Sequence, residues 1–238
     1  MVLDAFELLI SPYIAFSALV GALSGLIVIA TLFKNKIKEL FDDTNYFLFF
    51  FLAIGYTLYA LGELSWHLIL KTTGEPDANS IADVYWTAGV LAIFCAFAVF
   101  AYTMHRRYGE QQHRSWMILG VGLAFAVLMY LFFIIITATQ SYPFGYFYLV
   151  MSSLILILSV NILLFRQKIA QMGQGFLLFF FLANVGTFVG DALFLFNITR
   201  GVYGLAGVVS SIAYLGSYTL SAIAFITMLI RFYGQKRS

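Results

Sequence analysis

The chain has 238 residues, of which 62% are apolar and only 10% charged, whereas soluble domains carry about 25% charged and about 45–50% apolar residues. A soluble fold of this length exposes too much surface to hide so many large side chains, among them 26 phenylalanines and 15 tyrosines. Hydrocarbon solvent accommodates them, and a net charge of +2 spread over short basic clusters leaves no footprint for nucleic acid.

The predicted elements follow from the uncharged runs, because a helix crossing a bilayer needs about 20 residues at about 1.5 Å rise. The 26 residues between Glu7 and Lys34 carry no formal charge and predict a first span over 11–33. Asp43 to Lys71 encloses one charge, Glu63, and predicts span 2 over 45–70. Nothing between Asp83 and Arg106 is charged, which predicts span 3 over 82–104. The 51 uncharged residues between Arg114 and Arg166 are broken by Ser141-Tyr142-Pro143-Phe144-Gly145. They predict span 4 over 115–138 and span 5 over 143–165. Between Lys168 and Arg231 only Asp191 and Arg200 are charged, and Gly201 and Gly204 flank a turn. Spans 6 and 7 are predicted over 175–198 and 205–230.

The fold class is therefore all-α: a polytopic membrane protein with one seven-helix domain over 1–238. A transmembrane β-barrel would alternate along each strand, but Phe132 to Ile136 and Ile155 to Leu158 are continuously apolar. Met1-Val2-Leu3-Asp4 lacks the basic start of a cleavable signal peptide. The lone Cys95 permits no intrachain disulfide and no cysteine metal site.

Eleven of the 13 basic residues fall on one side of this topology. They are Lys34, Lys36, Lys38, Arg106, Arg107, Arg114, Arg166, Lys168, Arg231, Lys236 and Arg237. Lys71 and Arg200 fall on the other. The positive-inside rule then predicts an external N-terminus, a cytoplasmic C-terminus and a location in the cell membrane.

A constant offset of 128 residues relates the two ends of the chain. Gly62-Glu63 matches Gly190-Asp191, Trp86 matches Tyr214, Gly89-Val90 matches Ser217-Tyr218 and Phe97 matches Phe225, whereas Ala60 and Phe188 match poorly. This predicts a parallel internal repeat of 10–104 and 140–230 joined by span 4, with a two-fold axis along the membrane normal. Ser17, Gly21 and Gly25 on span 1, and Gly186 and Gly190 on span 6, have the spacing that lets helix backbones approach closely.

Ionisable groups within hydrocarbon normally face a cavity or a partner. Glu63 and Asp191 lie in the outer halves of spans 2 and 6, and Asp83 opens span 3. His67 sits one turn beyond Glu63 on the same face, and Tyr59 continues that face inward. Asn184, Thr187 and Asp191 form the matching stripe on span 6, and Ser210, Tyr214, Ser217 and Ser221 follow one side of span 7. These residues predict an outward-facing acidic pocket for a small ligand, a cation or a proton. For Asp83 a first-turn capping role stands beside the pocket role, and His67 fits equally a headgroup-level rim position. No zinc signature is present, no cofactor is implied, and no catalytic motif is recognisable. The predicted spans contain no lysine for a retinal Schiff base.

The stretch Leu61-Gly62-Glu63-Leu64-Ser65-Trp66, followed by Glu75-Pro76-Asp77-Ala78-Asn79-Ser80-Ile81-Ala82-Asp83-Val84-Tyr85-Trp86, resembles the multi-pass input domains found ahead of some prokaryotic histidine kinases and diguanylate cyclases. Gly190-Asp191-Ala192-Leu193-Phe194 with Tyr214-Leu215-Gly216-Ser217-Tyr218 is similar to a second copy. Glu63 replaces the usual Asp, Val90 stands where Tyr is frequent, and Ser211 replaces the later acid. Only Arg231 to Ser238 follow Ile230, so the resemblance implies a stand-alone module whose output passes through a membrane partner or a homo-oligomer in the lipid bilayer. The second half also resembles lysoplasmalogenase-type membrane hydrolases. That likeness implies active-site acids at Asp191 with Asp83 or Glu63, and an ether-lipid substrate. An ion-coupled transporter is the third expectation.

Overall fold

The computed structural model describes residues 2–34, 37–74, 80–108, 119–120, 122–123, 127, 143–165, 174–200 and 204–235. Its six long helices are α1 (Val2–Leu32), α2 (Thr44–Thr73), α3 (Ile81–Arg107), α4 (Pro143–Leu164), α5 (Gln174–Arg200) and α6 (Leu205–Gln235). All six are long and apolar enough to cross a membrane, and they carry six of the seven predicted spans. The remaining prediction, 115–138, lies outside the described residues except at 119–120, 122–123 and 127. At Gly122 the chain packs against Ile157 of α4.

Local chemistry sets the helix ends. Asp43 has extended backbone and caps α2, its carboxylate accepting from the backbone N–H of Asn45 at 2.9 Å and of Tyr46 at 3.2 Å. Gly74 closes α2 at φ +85°, a left-handed conformation that glycine adopts without a Cβ clash. At the start of α3, Asp83 Oδ2 accepts from the Ser80 N–H at 2.8 Å and from the Ser80 hydroxyl at 3.0 Å, the reach-back half of a capping box. Pro12 lies inside α1 and has no N–H for the Leu8 carbonyl. The Ser11 hydroxyl takes that place, donating to Leu8 O at 3.3 Å.

The helices form a closed ring. Each packs on its neighbours in chain order, and α6 returns to α1. Two seams of the ring are parallel. Along the first, Ser17 meets Thr219 at 2.9 Å, Gly21 faces Ser221 and Gly25 faces Phe225, so α1 and α6 run the same way. Along the second, Tyr148 bonds to Asp83 near the helix starts, and Asn161 bonds to His105 near their ends, so α3 and α4 also run the same way. The small residues of α1 therefore serve a contact within the chain. The outer flank of α1, with Leu9, Tyr13, Phe16, Leu23 and Ile27, is exposed, as expected of a surface solvated by lipid tails.

The ring's interior is graded along its length. Toward the Asp43 end it is filled by aromatic rings. Phe180 and Phe225 meet edge-on at 5.0 Å, Tyr56 packs on both, and Phe176 and Phe49 continue the layer. Toward the Gly74 end the interior becomes polar, and the acids stand there.

Candidate functional site

Two glycine–ring contacts position the acids. At Gly62 the missing side chain leaves room for the Trp86 indole, and at Gly190 it leaves room for the Tyr214 ring. Gly55 and Gly89 bring α2 and α3 equally close, with Tyr59 lying on Gly89. These approaches turn the residues after the glycines, Glu63 and Asp191, into the ring. Each of the two residues is only 8% exposed.

Each acid is held by a tyrosine of α6. The Tyr218 hydroxyl donates to Glu63 Oε1 at 2.7 Å, and the Tyr214 hydroxyl donates to Asp191 Oδ1 at 2.6 Å. Hydrogen bonds to a carboxylate of this length are among the stronger ones. Glu63 and Asp191 are near enough for their charges to interact, with Trp86 beside Glu63 and Ser152 beside Asp191. The Trp86 indole N–H is buried and stops short of a hydrogen bond. Neither carboxylate forms an ion pair with any described residue.

Behind the acids, toward the aromatic layer, lies a small cavity with room for about one water molecule. Tyr56, Tyr59, Ile93, Ser152, Ile155, Asn184 and Thr187 line it. The Thr187 hydroxyl is bonded to Ser217 at 2.7 Å, and Ser217 donates to the Ala183 carbonyl at 2.8 Å. On the other side of the acids, Trp66 packs on Trp86 at 5.4 Å and on Phe194 at 5.9 Å.

Of the residues singled out in the sequence, Glu63, Asp191, Tyr214, Tyr59, Asn184 and Thr187 come together in this interior. Asp83 reaches it through Tyr148, whose hydroxyl lies 3.0 Å from the Asp83 carbonyl and 3.2 Å from Oδ1, while its other oxygen caps α3. His67 does not join the acids. Its Nδ1 lies 2.8 Å from the Ser11 hydroxyl at the α1–α2 contact, and Trp66 next to it donates to Glu7 at 3.3 Å. Because the Ser11 hydrogen satisfies Leu8, both Ser11 bonds form together when Nδ1 carries the imidazole hydrogen.

Sequence reasoning did not select Tyr218, Tyr148 or Ser152 for the site. Tyr218 had a signal: it follows Tyr214 by four residues and so shares its helix face.

Compared with known protein families, curated proteins and solved structures, the chain matches none.

Proposed function

We propose that this is a stand-alone membrane module that binds a small cation or a proton between Glu63 and Asp191, from the outside, and passes that occupancy to a membrane partner. One observation carries the reading. Two carboxylates project into one membrane-embedded interior, each held by a tyrosine, and no described cation neutralises either. Such a pair attracts positive charge. The aromatic layer behind it favours binding over conduction, since the packed rings of Phe180, Phe225, Tyr56 and Phe49 fill the described interior toward the Asp43 end.

The seven-span topology is part of this proposal. Parallel α3 and α4 support it, because the chain leaving α3 must return to the opposite end before α4 begins. Gly122 against Ile157 supports a crossing beside α4. The basic-residue asymmetry supports the Gly74 end as external. The internal repeat is supported by the matched packing of Gly62 on Trp86 and Gly190 on Tyr214. The pairs Gly55–Gly89 and Ala183–Ser217, at the same offset, are also matched close approaches.

The test uses the purified full-length protein in lipid nanodiscs. Tryptophan fluorescence, reporting from Trp66 and Trp86, is followed while protons, Na⁺, K⁺, Ca²⁺ and tetramethylammonium are titrated. A saturable response to one of them is expected in the parent and absent in Glu63→Gln and Asp191→Asn, with both variants still monodisperse. A response that survives in both variants, or a parent silent to all five, refutes the proposal.

A further inference from the structure

Asn184 is a buried polar residue that the acid pair leaves unexplained. It is 4% exposed, deep in α5, and its amide nitrogen has no hydrogen-bond partner among the described residues. A primary amide brings two donors and an acceptor, and buried polar groups are almost always satisfied by protein or by ordered water. Asn184 also lines the small cavity.

We infer that this cavity is a water site: one buried water accepts a hydrogen bond from Asn184 Nδ2 and donates to Thr187 and Ser152. The hydrogen count closes. Thr187 and Ser217 both point at the Ala183 carbonyl, at 3.2 and 2.8 Å, and meet each other at 2.7 Å, so Thr187 accepts at most one hydrogen, from Ser217, for its two lone pairs. Thr187 Oγ1 then retains a lone pair for an incoming donor. The Ser152 hydrogen has the Leu149 carbonyl at 3.3 Å and the neighbouring Asp191 carboxylate as acceptors, and with either one its oxygen likewise accepts. A water has two hydrogens for these two oxygens and a lone pair for the amide.

Other occupants fit worse. A metal ion would meet the amide N–H on one side and the apolar faces of Ile93 and Ile155 on another, and the lining oxygens are neutral, with no carboxylate among them to balance a hard cation. An anion would approach Asp191. A dry cavity would leave the amide bare, whereas cavities that stay dry are apolar.

The water extends the polar network two turns inward along α5. Ser152 stands beside Asp191, so the amide and the acid share a neighbour through it. Any effect on ligand response rests on the function proposed above, but the water site itself does not.

A high-resolution structure of the full chain in lipid tests the site directly. A density peak is expected at about 2.7–3.2 Å from Asn184 Nδ2 and within hydrogen-bonding reach of Thr187 Oγ1 and Ser152 Oγ. The peak is expected to vanish in Asn184→Leu with the Glu63–Tyr218 and Asp191–Tyr214 bonds intact. An empty cavity, or Asn184 turned onto a protein partner, overturns the inference. So does a peak that acquires anomalous signal when Tl⁺ replaces Na⁺, which marks a cation. None of these readings depends on a cation response, so failure here is distinct from failure of the acid-pair proposal.

Discussion

Replacing Gly190 by alanine tests the contact that holds Asp191. The new Cβ would stand 2.7 Å from Cε1 of Tyr214 and 2.9 Å from both Cδ1 and Cζ. Ordinary carbon–carbon contacts lie at about 3.5–4.0 Å, so the ring must retreat by about 0.8 Å or more. Its hydroxyl donates to Asp191 at 2.6 Å, and the same retreat takes the bond beyond the usual limit of about 3.0 Å for O–H···O. Overpacking of this kind costs about 1–3 kcal/mol. At about 2–4 °C per kcal/mol for a chain of this size, the melting temperature falls by about 2–12 °C. Differential scanning fluorimetry on the detergent-solubilised protein reads that shift. The decisive comparison is a cycle with Tyr214→Ala, which removes the obstructing ring: in that background Gly190→Ala is expected to be nearly silent. A Gly190→Ala protein that melts with the parent, or the same loss with and without the tyrosine ring, refutes the reasoning.

Three further outcomes are expected. Tyr218→Phe keeps the ring packed on Tyr59 at 6.0 Å but strips Glu63 of its donor; stability falls by about 1–3 kcal/mol, and adding Glu63→Gln makes little further difference in a double-mutant melting cycle. Ser11→Ala removes the 2.8 Å contact to His67 and costs about 0.5–1.5 kcal/mol, while the cation titration curve stays where it was. A reporter fused after Ser238 reads as cytoplasmic and a tag before Met1 as external in protease-accessibility assays; the reverse pattern overturns the outward direction of the pocket.

The elements were legible because charge is expensive in hydrocarbon, so the spacing of charged residues marks helix limits. The limits of α2, for instance, fall beside Asp43 and Lys71. The same expense made Glu63 and Asp191 conspicuous. Their partners were not conspicuous, since Tyr218 is one of 15 tyrosines and only helix rotation turns it toward α2. The small residues of α1 announced a close contact, but nothing in Ser17-Gly21-Gly25 names α6 as the other side. His67 was grouped with Glu63 by helical spacing. Its bond to Ser11, 56 residues away in sequence, answers to Pro12 and the carbonyl that Pro12 frees, a link no periodicity carries.

The graded interior has an electrical consequence. Glu63 lies ten residues before the end of a 30-residue helix, about 15 Å of about 45 Å at 1.5 Å per residue. A unit charge crossing the whole membrane works against about 2.3 kcal/mol per 100 mV. One that enters from the Gly74 end and stops at the acids traverses at most a third of that distance, or about 0.8 kcal/mol. Water following it to the acids lowers the figure further, and the voltage then drops chiefly across the packed rings of Phe180, Phe225 and Phe49. On the function proposed above, such a site reads the composition of the medium beside it, and a change of 100 mV alters its occupancy by at most about fourfold.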